Sequence, residues 1–240
     1  MKMSKNQWLS AIGMTIDEVP RKIILEGTWW HKLRYPMRLE YLTEVRELNF
    51  PDMYLGKFEG SKIMYCCAYG ASRAVEPVHI FGLLGTSRVI QIGSCGGLQQ
   101  KIKTGDILIP TDSFIGEGAS QYYGQIIKST ATKHLVERAN QELMTLGLTT
   151  HVGPHISTSA LLQQSQELIK NWHTKGLYGV DMETSAVFSA AEYFKMDRVS
   201  LLFVWDELLE GRSWLDEFSE DEKLRQLRAN RSIFEVALKL

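Results

Sequence analysis

Three carboxylates and one glycine-rich run carry most of the chemistry this chain could do. Asp181 and Glu183 flank Met182 in Tyr178-Gly179-Val180-Asp181-Met182-Glu183-Thr184-Ser185-Ala186, just ahead of Ala186, Val187, Ala190, Ala191 and Phe194 at helical spacing. Both acids would sit at a helix N-terminus, whose partial positive charge favours carboxylates. Satisfying that helix end is the bland account of the pair. Asp206 follows the continuous apolar run 199–205. An acid at the carboxyl end of a buried strand stands where α/β sheets place their sites. The third element is Val89-Ile90-Gln91-Ile92-Gly93-Ser94-Cys95-Gly96-Gly97-Leu98, an apolar strand running into glycines. Glycines let a backbone approach a ligand and leave amides free for an anion, and Ser94 adds a hydroxyl. Taken alone, the run reads equally as a tight turn between two core strands.

In this order and spacing, Gly93-Ser94-Cys95-Gly96-Gly97, Gly105-Asp106-Ile107, Asp181-Met182-Glu183-Thr184-Ser185-Ala186 and Asp206 resemble the nucleoside phosphorylase family. That family includes purine nucleoside phosphorylases, uridine phosphorylases and methylthioadenosine nucleosidases. The resemblance covers roughly residues 60–210, with the last helix compatible, whereas 1–55 match poorly. It implies an enzyme that cleaves the N-glycosidic bond of a nucleoside by phosphorolysis, giving free base and (deoxy)ribose 1-phosphate. Breaking that bond builds positive charge on the sugar and negative charge on the base. The resemblance gives Glu183 the ribose 2′- and 3′-hydroxyls, with Met182 beneath the sugar; such charge-assisted contacts are the stronger kind. Asp206 takes the place of the acid that protonates a purine, which needs a pKa raised by burial. Asp181, Gly93 and Ser94 are expected to line the substrate site. Leu161 falls where purine enzymes stack an aromatic ring on the base, and Trp205 stands where the family has serine. No cofactor is implied, and inorganic phosphate would be a co-substrate.

The anion side departs from the family pattern. Its phosphorolytic members carry an arginine two residues before the Gly-Ser, where this chain has Gln91, and their Gly-Asp-Pro-x-x-Arg loop is replaced by Glu26-Gly27-Thr28-Trp29-Trp30-His31. Neutral glutamine hydrogen-bonds phosphate but cannot balance its charge. The expected anion site is therefore Gly27, Gln91 and Ser94, with Arg73, Arg34 or Arg38 as compensating cations. Without phosphate, water would attack, giving a hydrolytic nucleosidase acting on a nucleoside or nucleotide. A nucleoside-binding protein that has lost turnover is the reading from another class. A dinucleotide or P-loop enzyme is disfavoured, since 93–97 fits neither glycine signature. His151 and His155 share an i, i+4 spacing, but Gly153-Pro154 rules out a regular helix between them, so no metal site is expected.

Composition narrows the class. The 240 residues are 44% hydrophobic and 23% charged, with 27 basic against 28 acidic side chains and net charge −1, which implies neither nucleic-acid nor membrane partners. No apolar run nears 18 residues, and the start, Met1 to Trp8, lacks a signal-peptide core. Three cysteines, Cys66 and Cys67 adjacent, do not read as a disulfide framework and suit a reduced, cytoplasmic compartment. Strands are expected at 22–25, 62–68, 89–92, 107–113, 149–152 and 199–205, and helices at 72–84, 130–146, 159–174, 183–194 and 220–238. The alternation gives an α/β class: one domain over 1–240, with a mixed, mostly parallel central sheet flanked by helices. In the last helix, Leu224, Leu227, Phe234 and Leu238 form a stripe expected to face the core. The basic segment 31–38 reads first as a solvated face and second as an anion site completed across a subunit contact. Trp29-Trp30 reads as core or interface. A homo-oligomer, dimer or hexamer, is expected.

Overall fold

The computed structural model describes residues 3–240, so the first two positions of the Met1 to Trp8 reading lie outside it. The strands of one sheet are β1 (Lys22–Gly27), β2 (Thr43–Glu47), β3 (Met53–Phe58), β4 (Ser61–Cys67), β5 (Arg88–Gly97), β6 (Ile107–Gly116), β7 (Lys128–Thr130), β8 (Thr150–Thr158), β9 (Gly179–Asp181) and β10 (Asp197–Glu207), most of them built on an apolar run. Helices are α1 (Lys5–Ile12), α2 (His31–Leu39), α3 (Ala71–Leu84), α4 (Lys133–Thr145), α5 (Gln166–Thr174), α6 (Thr184–Tyr193) and α7 (Glu220–Lys239).

The sheet is mixed. The pairs β4–β1, β1–β5, β5–β10, β6–β8 and β8–β9 run parallel, while β2–β3, β3–β4, β5–β9, β6–β7 and β6–β10 run antiparallel. Because β10 pairs with both β5 and β6, the strands β5, β10, β6, β8 and β9 close into a ring. One face packs α4 and α7 through Leu135, Ala139, Ile233 and Phe234. The other packs α1, α3 and α6 through Ile12, Phe81, Val187 and Phe188. Each of these leucine, isoleucine, valine and phenylalanine side chains contributes roughly 1.5–3 kcal/mol when fully buried. Serine caps set helix starts: Ser4 and Gln7 bond each other's backbone at α1, as Ser219 and Glu222 do at α7. No helix among the described residues is long and apolar enough to cross a membrane.

Several expectations are corrected. The run 93–97 is not a turn; it continues β5, with Gly96 and Gly97 pairing to both β10 and β9. The glycines answer crowding instead: a Cβ on Gly96 would lie 2.5 Å from Leu208. The helix expected over 159–174 is shortened to α5, because Ser165 caps Leu168 and leaves only a short 3-10 turn at Leu161–Gln163 before it. The stripe on α7 is rotated. Phe234 and Leu238 are buried, but Leu224 and Leu227 are exposed, and Ala229, Ile233 and Ala237 face the core in their place. Trp29 and Trp30 are exposed rather than core.

Candidate active site

The site lies where β5 changes neighbours. β1 accompanies β5 as far as the pair Gly27–Gly93, and β9 takes over at Gly96. Between them a cleft of about 980 Å³ opens, lined by Gly27, Gly93, Ser94, Leu161, Asp181, Met182, Glu183, Trp205 and Asp206. A crevice at the carboxyl ends of strands, beside a change in strand order, is the usual place for a ligand in an α/β sheet. Nine of the residues expected at the site are thus brought to one cavity, from five separate parts of the chain.

Glu183 immediately precedes α6 but does not cap it. Its Oε1 accepts from the Gly70 amide at 2.7 Å. A Cβ on Gly27 would sit 2.6 Å from Glu183 Oε2, so a side chain there would displace the carboxyl. Burial pushes the Glu183 carboxyl up to about 8, the charge of Asp181 adds to the rise, and the Gly70 amide opposes it. Asp206, on β10, is pushed up to about 7 by burial, against its own amide and that of Trp214. Asp206 pairs with Gly96, while Glu183 stands over Gly27, the partner of Gly93. The two carboxyls are therefore set off by three residues along β5, roughly 10 Å at the rise of a strand.

Asp181 lines the cleft, and its carboxylate also does the capping of α6. Its carboxylate accepts from the Glu183 and Thr184 amides, from Ser157 Oγ at 2.6 Å and from Thr184 Oγ1 at 2.5 Å. Both oxygens are occupied within the protein. Gln91 is corrected: it is fully buried, outside the cleft, and donates to Asp181 Oδ2 at 3.1 Å. Arg73 lies outside the cleft as well. It pairs with Glu76, bonds the Pro51 carbonyl and covers the Phe50 ring, beside a cavity of about 250 Å³ behind Trp29 and Tyr69.

The segment 31–38 keeps an exposed side at Lys32, Leu33, Pro36 and Met37, but it is not a free cation cluster, because α2 turns both its arginines inward. Arg38 grips buried Glu26 with Nε and Nη2, at 2.8 and 3.0 Å, and also bonds Asn230. Arg34 Nε is 3.3 Å from Glu26 Oε1, close enough to pair but misaligned for a hydrogen bond, and it lines the cleft. Glu26 was missed in the sequence; its signal was a charge interrupting the apolar run of β1 just before Gly27. Tyr69 and Trp214 were also missed. Trp29 stacks on Tyr69 at 4.7 Å and meets Trp214 edge-on at 5.8 Å, so aromatic rings rim the opening. Trp205 lines the cleft while packing on Phe203 and Phe218. His151 bonds Asp106 and buried His155 bonds Ser113, so the two do not converge. Among the described residues no three His, Cys, Asp or Glu side chains are grouped to hold a metal.

A helix-flanked mixed sheet closed into a ring, with two buried carboxyls facing one strand-end cleft, defines the class. Residues 36–238 match the profile of the phosphorylase superfamily, and the chain belongs to that family. It is similar to the DeoD-type purine nucleoside phosphorylase of Thermoanaerobacter sp. (strain X514), 26% identical over 219 residues that cover 84% of this chain and 89% of that one. The DeoD-type enzyme of Geobacillus kaustophilus is 25% identical, with 95% of each chain covered. In fold it matches the crystal structure of uridine phosphorylase from Vibrio fischeri with a TM-score of 0.80 at 22% identity, covering 94% of this chain and 93% of that one.

Proposed function

We propose that the protein cleaves the N-glycosidic bond of a purine nucleoside by phosphorolysis. The observation that carries this reading is the pair of buried carboxyls, Glu183 and Asp206, that line one cleft from positions three residues apart along β5. Glu183 accepts hydrogen bonds from the ribose 2′- and 3′-hydroxyls, and its negative charge steadies the cationic sugar as the bond lengthens. Met182 packs beneath the ring. A phosphate oxygen attacks C1′ as the C1′–N bond breaks, and the bonding pair leaves with the base. Asp206 gives its proton to that base and is left as a carboxylate. Leu161 and Trp205 bound the base. The Gly27 and Gly93 backbone, Ser94 Oγ and Arg34 receive the phosphate. The relatives named as purine nucleoside phosphorylases support the choice of base.

Hydrolysis is the second reading, and Glu26 favours it. Its carboxylate offsets one of the two charges of Arg34 and Arg38 beside the anion position, and neither Gln91 nor Arg73 reaches the cleft. Incubation with purine nucleosides with and without phosphate tests both. Ribose 1-phosphate, formed at a rate that rises with phosphate, supports phosphorolysis; free ribose at a phosphate-independent rate overturns it. Exposed Trp30, Leu33 and Met37 on the rim of the cleft support a homo-oligomer. Light scattering showing an active monomer at micromolar concentration overturns that part.

A further inference from the structure

We propose that Gln91 is a positioning residue that joins the three elements of the site into one unit. The proposal rests on the reading that Glu183 grips the sugar hydroxyls. Gln91 sits in β5, three residues before Ser94, and is fully buried. Its Nε2 donates to Asp181 Oδ2, and Asp181 in turn accepts the Glu183 amide at 3.2 Å. Its Oε1 lies 2.6 Å from Thr184 Oγ1, at the start of α6, and 2.6 Å from Ser200 Oγ. Ser200 is the residue of β10 in register with Gln91, on the strand that ends in Asp206. One amide therefore reaches the strand carrying Ser94, the strand carrying Asp206 and the corner carrying Glu183.

The chemistry of the position explains the residue. It must donate to the Asp181 carboxylate and accept from the Ser200 hydroxyl at the same moment, within a dry interior, the single proton of Thr184 Oγ1 going to Asp181. Glutamine carries both functions on one short side chain, whereas arginine has only donors and glutamate only acceptors when ionised. A glutamate would also set a second negative charge against Asp181. An unmade bond here would leave a buried polar group unpaired, and the corner would shift to find a partner. Placement errors on the scale of 1 Å at a reacting group are enough to cost about 100-fold in rate. Gln91 is thus built into the frame that aims Glu183, and it is not a weakened phosphate ligand.

The test compares turnover of a purine ribonucleoside with its 2′,3′-dideoxy analogue, which lacks the hydroxyls Glu183 grips. Gln91→Met keeps the length and removes the hydrogen bonds. Ser200→Ala removes one partner only, and it carries the test if the first variant does not fold. The expected result is a loss of roughly 10-fold or more in kcat/KM for the ribonucleoside, with the dideoxy analogue within about twofold of wild type. The sugar preference then collapses. Equal losses on both substrates, as a lower folded fraction would give, overturn the proposal. Gln91→Arg is expected to gain no phosphate-dependent rate; a gain would make the position an anion contact and also overturn it. If the wild-type protein cleaves no nucleoside, the functional reading fails separately. The same preference is then read from quenching of the cleft tryptophans by the two nucleosides. Loss of a ribonucleoside preference in Gln91→Met supports the positioning role, and equal binding of the two nucleosides by wild type, or a preference the variant keeps, overturns it.

Discussion

Asp206 and Glu183 are both carboxyls displaced upwards by burial, and the two displacements pull activity in opposite directions. Asp206 must be protonated to serve as the acid, so activity falls as pH rises past about 7. Glu183 must be ionised to accept two hydroxyls, so activity rises as pH approaches about 8. A bell-shaped kcat/KM profile of the wild-type protein, with its maximum between these values, is the expected outcome. Asp206→Asn should lose about 10²–10⁴-fold on natural purine nucleosides and remove the alkaline limb. Nucleosides whose leaving group needs no proton should lose far less, and equal losses on both kinds would leave Asp206 a structural carboxylate. These two residues were legible in the sequence because residue type and local position mark them: an acid after an apolar strand, an acid before an apolar helix. The duties of Gln91 and Asp181 were not. Their bond joins positions 90 residues apart, and only the fold shows that the Asp181 carboxylate is taken up by partners within the protein.

The elements follow the same division between local and distant causes. Strands β1, β4, β5, β6 and β10 are each built on a mainly apolar run and could be read directly. By contrast, β2 (Thr-Glu-Val-Arg-Glu) is a polar edge strand and β9 only three residues long, so neither carries a pattern. Helix α2 has Pro36 inside it and a polar, basic sequence, which conceals its two inward arginines. What orders α2 is Arg38 on Glu26, aided by Asn230 and by the Tyr65 hydroxyl that donates to the same carboxylate at 2.7 Å. Arg38→Met removes the main partner of a buried charge. Chemical denaturation should show a loss of about 3–5 kcal/mol, the usual cost of breaking such a pair from one side. A loss below about 1 kcal/mol would mean that Arg34 alone compensates Glu26 and that α2 is held by its apolar contacts.

At the scale of the whole molecule, a sheet closed into a ring sets two acids in a dry cleft, and folding then has to keep them neutral. In the unfolded chain Glu183 and Asp206 ionise at ordinary carboxylate values of 4.5 and 3.8; in the folded chain they hold their protons to about 8 and 7. Between these limits the folded state binds more protons, so stability falls as pH rises, by up to about 1.4 kcal/mol per pH unit for each group. His155, whose pKa burial lowers, works in the opposite sense, so variants isolate the carboxyls. Glu183→Gln and Asp206→Asn should each flatten the fall of Tm between about pH 4.5 and 7 relative to wild type. Unchanged slopes would show that the two carboxyls ionise normally in the folded protein.

The most direct measurement is chromatographic release of free base from a purine nucleoside in phosphate buffer, by the wild-type protein and by Glu183→Ala. The sugar clamp is needed whichever nucleophile attacks, so this comparison bears on the site before it bears on the reaction. Base released by wild type, and reduced about 100-fold or more in Glu183→Ala with the folded fraction unchanged, is the predicted result. No base released from any purine or pyrimidine nucleoside, or equal release by both proteins, would contradict it.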